Sequence, residues 1–406
     1  MPVFDARTTI DVPAVHSSRW HARPGSELRL SPPWGRIGIV PFARFEHEQA
    51  FEEAGTGRSA VIDHVDYELP FGAAGEYVGG APTRRALARW FRYRGTIAAA
   101  DLARHAPYFA RPPLRVAITG ASGLLGQQLA AFLTAGGHEV LRLVRRRKPG
   151  EGEISWDPAS GRIDHEALEE LDAVVHLAGE NIAARWTEQR KAEIARSRVS
   201  GTKLLADALP VLRTRPKVFV AASAIGYYGD RGQERVDETA KPGSGFLADV
   251  VSAWEQAARP AAEAGIRTAS LRFGVVLTSR GGAVAKMRLP FLLGVGGPIG
   301  GGHQGFSWIA LDDAIYAIHH VIRHEDLRGP INVVAPGALP QRELAAALGR
   351  ALHRPARVPV PEIAVRKLFG QMGEESLLAS QFVEPEVLRR SGFAWSAATL
   401  DEALAR

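Results

Sequence analysis

Three glycines spaced three apart, Gly120, Gly123 and Gly126 in the stretch TGASGLLG (119–126), carry the strongest chemical signal in the chain. They follow a short β-branched run, residues 114–119, and open an amphipathic stretch, as a phosphate-cradling turn between strand and helix requires. The first glycine permits a tight turn. The second lets backbone N–H groups approach a pyrophosphate, and the third lets the helix pack close to the sheet. The helix N-terminus then faces the anion. The chemistry implied is dinucleotide binding, with Gly120, Ser122, Gly123, Leu124, Leu125 and Gly126 as the cradle. A glycine-rich turn without a ligand is the alternative.

The end of the next strand, residues 138–144, selects between dinucleotides. An NAD site places Asp or Glu there for the ribose hydroxyls, whereas this chain has Arg145, Arg146, Arg147 and Lys148 and no acid before Glu151. Guanidinium groups bind a 2′-phosphate that a carboxylate repels. A hydrogen bond to a charged group is worth ~1.5–3 kcal/mol, so NADP(H) is expected over NAD(H), with Arg145 and Arg146 as its ligands. An exposed basic loop is the competing reading.

The elements that must position these groups follow from periodicity. Strands are expected at 114–119, 138–144, 173–178, 218–223, 268–273 and 331–334, and helices around 123–136, 187–209 and 247–264. This alternation makes an α/β fold, a doubly wound parallel sheet covered on both faces. The run VFVAA (218–222) is apolar on both parities, as a strand buried on both faces should be. Three prolines in APYFARPP (106–113) mark a boundary near residue 110. A glycine-rich loop fills 294–305, and a strand leads into a helix across 306–324. A helix is expected at 341–352, with a second beyond the proline-rich link RPARVPVPE.

Residues 114–325 resemble the extended short-chain dehydrogenase/reductases, the NAD-dependent epimerase/dehydratase group. The carrying motifs are TGASGLLG, HLAG (176–179), ASAIGYYG (222–229), RFGVVL (272–277) and FSWIALDD (306–313). Longer blocks are similar to an atypical subgroup of epimerase family proteins: HLAGENI (176–182), RW…SR (185–198), GFLADVVSAWE (245–255) and RLPFLLGVGGPIGGGHQGFSWI (288–309). LLASQFVEPEVLRRSGF (377–393) resembles that subgroup's uncharacterised C-terminal domain. The resemblance implies a Rossmann sheet with a small C-terminal domain. It also implies that Leu177, Ala178 and Gly179 line the cofactor and that Glu193 and Arg198 reach its ribose or phosphates. The residues alone would leave Glu193 and Arg198 in solvent. Residues 4–34 and 42–103 resemble the opening and closing parts of a START-like, polyketide-cyclase-like α+β domain, with the central strands missing. Such a shortened domain would have a smaller cavity or none, and a docking or packing role is expected at least as much as holding a lipid-like ligand. The expected domains are 1–110, 111–330 and 331–406.

The resemblance also implies a Tyr-x-x-x-Lys pair, which this chain lacks. The residues four before its seven lysines are Val144, Thr187, Val199, Arg213, Asp237, Gly282 and Ile363. At the expected place stand Phe246 and Val250. Ser223, at a strand end, and Tyr227 and Tyr228 after it are the remaining candidates for proton exchange. Strand-end capping and loop packing are their plainer roles. His320 and His324, four apart, are expected on a surface helix, and no metal site is expected. His303 stands in the glycine-rich loop, and Asp312 and Asp313 are expected to cap the helix they begin.

Composition narrows the classes. The chain has 406 residues, 46% hydrophobic and 23% charged, with no cysteine, which excludes thiolate metal sites and a cysteine nucleophile. Net charge is +6, and 43 of its 50 basic residues are arginine. Arg84, Arg85, Arg89, Arg92 and Arg94 read as the solvated face of a helix whose apolar side carries Leu87, Trp90 and Phe91, rather than as a nucleic-acid patch. No apolar run or leader pattern points to a membrane or to export, so a cytoplasmic location is expected. The expected partner is a small-molecule substrate, and a homodimer is one open assembly. An oxidoreductase or epimerase with an unconventional proton donor, a non-catalytic NADP(H) sensor, and a lipid or polyketide carrier all stand at this point. The shortened N-terminal part argues against the carrier.

Overall fold

The computed structural model describes residues 3–10 and 42–405, apart from 57 and 147. Residues 11–34, the greater part of the opening segment read above as START-like, and Arg147 lie outside the described residues. The chain forms two compact units: residues 1–113 with 130–139, and residues 114–129 with 140–406. No helix among the described residues is long and apolar enough to cross a membrane.

In the first unit β1 (Val3–Ile10), β2 (Arg44–Glu53) and β3 (Ser59–Glu68) form an antiparallel sheet in the order β1-β3-β2, followed by a helix of 34 residues, Gly72–His105. Alternate residues of β3 are buried, so Val65 and Tyr67 meet Leu87, Trp90 and Phe91 of the helix. Arg84, Arg85, Arg89 and Arg92 are exposed, as the helical pattern predicts. Arg94 departs from that pattern and is 2% exposed. Asp63 lies in the inward register of β3, and burying its carboxylate needs a cation, so Arg94 turns in to donate to it.

The second unit is built on an eight-stranded sheet in the order β15-β11-β9-β8-β4-β5-β6-β7. Its strands are β4 (Arg115–Thr119), β5 (Glu139–Val144), β6 (Glu153–Asp157), β7 (Arg162–Ile163), β8 (Ala173–His176) and β9 (Val218–Ala224). After the short β10 (Arg235–Val236) come β11 (Arg267–Phe273), β12 (Val275–Leu277), β13 (Gly305–Phe306), β14 (Trp308–Ala310) and β15 (Gly329–Val333). The last are β16 (Leu339–Pro340) and β17 (Phe382–Val383). Helices Leu124–Ala135, Glu188–Ala208 and Phe246–Ala257 run between successive parallel strands, close to the expected positions. The pattern is the expected doubly wound parallel α/β sheet, and β4, β8, β9 and β11 end along one edge.

The structure corrects three expectations. The hairpin β6–β7, absent from the strand pattern, extends the sheet past β5, with β6 parallel to β5 and Arg142 opposite Glu153. Helix Leu311–Arg323, expected at the surface, is buried along almost its whole length. The rings of His320 and of His324, the residue after the helix, lie 3.7 Å apart and tilted by 33°, and His320 Nε2 lies 2.9 Å from Ser391 Oγ. Asp313 does not cap this helix. Its carboxylate accepts the N–H groups of Ser396 at 2.7 Å and Ala397 at 2.9 Å, tying the C-terminal segment to the helix start.

Candidate functional site

The glycine turn is built against β8. Gly120 has φ +66, and a Cβ there would lie 2.8 Å from the Leu177 carbonyl carbon and 2.9 Å from the Ala178 nitrogen. A Cβ on Gly126 would come within 2.2 Å of the Gly120 oxygen. Both glycines are therefore sterically required, and Ser122 and Gly123 are left exposed. Beside them the first N–H groups of helix Leu124–Ala135 have no partner within the helix. Leu177, Ala178 and Gly179 are partly or fully exposed where β8 ends. A negatively charged, phosphate-bearing group fits such a cradle.

Thr119 and His176 latch this arrangement, and the sequence reading passed over both. Thr119 Oγ1 accepts the N–H groups of Leu177 at 3.1 Å and Ala178 at 3.2 Å. It lies 2.7 Å from His176 Nδ1, so its own proton points to that nitrogen. His176 is fully buried, and burial pushes its pKa down to about 3. The available signal was the position of both residues at the last step of a strand, immediately before a glycine motif.

Arg145 and Arg146 differ in place. Glu153, brought back by β6, accepts from Arg146 Nη2 at 2.7 Å, so the acid that seemed absent after β5 is supplied by the next strand. Arg145 is exposed and has no ion-pair partner among the described residues. It lines an open cavity of about 440 Å³ together with Ser155, Asp157, Arg162, Asp164 and His165.

On helix Glu188–Ala208, Glu193 and Arg198 are half-buried rather than in solvent. Arg198 packs against Gly179, where a Cβ would lie 3.5 Å from its guanidinium carbon, and stands 5.1 Å over the Trp254 ring. Burial lowers its pKa to about 10, against the pull of Glu180. Glu193 turns instead to Arg190 at 3.2 Å and Gln189 at 3.1 Å.

A buried polar network lies where β9 and β11 end. Ser223 Oγ donates to Glu255 Oε1 at 2.6 Å. Arg272 donates from Nε to the same oxygen and from Nη2 to Oε2, both at 2.8 Å. Arg272 Nη1 donates to the Tyr228 hydroxyl at 2.9 Å, and that hydroxyl donates to Asn332 Oδ1 at 2.8 Å. Burial works against the Arg272 charge, but the Glu255 bonds outweigh it and its pKa is raised. Burial drives the Tyr228 phenol up to about 12, with Arg272 opposing. Tyr228 is wholly enclosed and its proton is committed to Asn332, so it is a member of the buried scaffold rather than a group facing an open site. Tyr227 is half-buried, with the Arg272 guanidinium 3.5 Å from its ring centre. Glu255 and Arg272 escaped the sequence reading because they lie far apart in the chain and join only through packing.

The positions that lack tyrosine and lysine are filled by apolar packing. Phe246 meets Trp186 edge-on at 5.0 Å, and Val250 is buried with Trp186, Ile194 and Met372. Glu375, from the C-terminal part, accepts the N–H groups of Phe246 at 3.1 Å and Leu247 at 2.8 Å and so caps this helix. The following residues bind the turn after β9. Gln381 donates to the carbonyls of Ile225 at 3.2 Å and Gly229 at 2.9 Å, while β17 pairs with β10. In the glycine-rich loop Arg342 Nη1 lies 2.6 Å from His303 Nδ1, which holds that side chain.

A glycine turn cradled on β8, inside a doubly wound parallel sheet, defines a dinucleotide-binding protein of the Rossmann class. Residues 116–334 match the model of the NAD dependent epimerase/dehydratase family, and residues 360–406 match a domain of unknown function, DUF1731. The chain belongs to the NAD-dependent epimerase/dehydratase family. Epimerase family protein Mb2239 of Mycobacterium bovis is 42% identical over 290 residues, 71% of this chain and 96% of that protein. The crystal structure of human epimerase family protein SDR39U1 (isoform 2) with NADPH is similar at 38% identity and TM-score 0.66, covering 72% of this chain and 98% of that one. A nucleoside-diphosphate sugar epimerase structure from Corynebacterium glutamicum matches 99% of this chain and 89% of its own at 30% identity and TM-score 0.79.

Proposed function

We propose that this protein binds NADP(H) across the carboxyl ends of β4, β5 and β8 and acts as an oxidoreductase or epimerase-like enzyme on a small molecule. Gly120, Ser122, Gly123, Leu124, Leu125 and Gly126 would hold the pyrophosphate, and Leu177, Ala178 and Gly179 would line the ribose. Arg198 would stand toward the phosphates, and Glu193 would act through Arg190. The bound group would supply or accept a hydride. The chain's own contribution is to orient it and to move a proton at Ser223 Oγ or the Tyr227 hydroxyl.

The observation that carries this reading is Arg145, an exposed cation with no ion-pair partner among the described residues, at the end of β5, where an NAD site needs a carboxylate. The bound NADPH in the human relative agrees with it. The apolar packing of Phe246 and Val250 favours a second reading, a non-catalytic NADP(H) sensor. We read the N-terminal unit as a shortened START-like fold that serves docking or packing, and the protein as cytoplasmic. Calorimetric titration with NADPH and NADH tests the cofactor assignment, and equal affinities would overturn it. Turnover with NADPH on a panel of carbonyl compounds and nucleotide sugars separates enzyme from sensor.

A further inference from the structure

We propose that the face formed by residues 281–295 and 354–369 docks on an anionic membrane surface, lying in the headgroup layer without crossing the bilayer. The inference stands on this face alone and goes beyond the cofactor reading.

The water-facing side of a helix is ordinarily polar. This face departs from that rule. Of the fourteen large apolar side chains exposed among the described residues, nine fall in 289–295 and 358–369. Leu289, Leu293, Val295, Ile363 and Leu368 are 53% to 68% exposed. Helix Gly282–Leu292 turns Phe291 inward and helix Glu362–Phe369 turns Val365 inward, so the exposed apolar groups are not needed for the core. The two segments adjoin. Arg354 Nε donates to the Leu292 carbonyl at 3.2 Å, the Val358 N–H to Gly296 at 3.3 Å and the Val360 N–H to Pro298 at 2.8 Å. Single exposed apolar residues need no partner, whereas a contiguous group marks a contact surface.

Charge selects the partner. The two segments hold Lys286, Arg288, Arg354, Arg357, Arg366 and Lys367 against one acid, Glu362, a net +5 where the whole chain carries +6. Among the described residues only Arg366 of these meets a carboxylate, Glu374 at 2.7 Å and Glu362 at 3.7 Å. A second copy would set the same uncompensated cations against them, and like charges across an interface oppose association. Anionic headgroups above acyl chains suit both features, since the apolar side chains enter the boundary while the cations stay at the phosphates. Each Lys or Arg near such a surface is worth roughly fivefold in affinity. Arg185 Nη1 donates to the Lys367 carbonyl at 3.4 Å and Lys286 Nζ to the Ala183 carbonyl at 3.1 Å. These bonds tie the face to the loop after β8, so docking would bring the proposed cofactor edge to the membrane.

Co-sedimentation of the full chain with lipid vesicles tests this. Binding to phosphatidylcholine vesicles with about 30% phosphatidylserine should be at least about tenfold tighter than to pure phosphatidylcholine, and should fall in about 0.5 M salt. At roughly fivefold per cation, R357E/K367E should weaken binding about 25-fold or more. L293S/I363S should weaken it about tenfold or more by removing inserted apolar groups. Thermal unfolding and calorimetric NADPH affinity should be unchanged in both variants, because these side chains face water. The chain has no cysteine, so a fluorophore on L293C reports from one place. Its emission should shift to the blue on anionic vesicles, while V211C, exposed outside both segments, should not respond. No binding to anionic vesicles, wild-type binding by both variants, or a shift at V211C instead of L293C would overturn the proposal. Self-association without lipid that L293S/I363S abolishes would assign the face to a second copy and overturn it as well.

Discussion

Replacing Arg145 by alanine is the sharpest probe of the cofactor site, because its neighbour provides an internal control. Arg145 has no ion-pair partner among the described residues, so its charge is free to meet a 2′-phosphate. Arg146 is already bound to Glu153 at 2.7 Å, with its side chain 64% exposed. A charge-assisted hydrogen bond contributes ~1.5–3 kcal/mol, so R145A should weaken NADPH binding roughly 10- to 100-fold. NADH lacks the phosphate and should be unaffected. Arg146 divides its charge with Glu153, and an exposed pair of that kind is worth ~0–1 kcal/mol, so R146A should cost NADPH less than tenfold. The double change R146A/E153Q should restore part of that loss by removing the carboxylate left facing the phosphate. Titration calorimetry of the four proteins with both dinucleotides reads every term. A loss of NADPH and NADH affinity in equal measure on R145A would show that the residue supports the fold and not the phosphate.

Three further outcomes follow from the geometry. Gly120→Ala places a Cβ 2.8 Å from the Leu177 carbonyl carbon at φ +66 and should both destabilise the protein by ~1–2 kcal/mol or more and abolish NADPH binding, read by urea unfolding and calorimetry. His176 has its pKa pushed down to about 3 by burial, whereas the unfolded chain titrates near 6.5. The unfolded state thus binds the extra proton first, and stability should fall as pH drops below about 6.5, by up to about 5 kcal/mol near pH 3. Urea midpoints between pH 7 and pH 4 check this, and H176N should flatten that part of the slope. Glu375→Gln weakens the cap on helix Phe246–Ala257 and should cost ~0.5–2 kcal/mol, with faster amide exchange at Phe246 and Leu247 as its local sign.

Local order in the chain determined the glycine turn, the alternation of strands and helices, and the absence of a Tyr-x-x-x-Lys pair. Each depends on residues a few positions apart, and period and steric demand act at that range. The sheet class followed as well, since strands alternating with helices of this length build a parallel sheet covered by helices. What tertiary structure decided was partnership. Glu153 reaches Arg146 only because β6 lies beside β5. Ser223, Glu255 and Arg272 meet only because β9 and β11 are neighbours beneath helix Phe246–Ala257, 17 residues separating Arg272 from Glu255 and 32 separating Glu255 from Ser223. His176 is neutral because the fold encloses it, and Tyr228 is withdrawn from solvent for the same reason. Charge state and proton direction depend on which groups share a low-dielectric space, and that is set by long-range packing rather than by spacing along the chain.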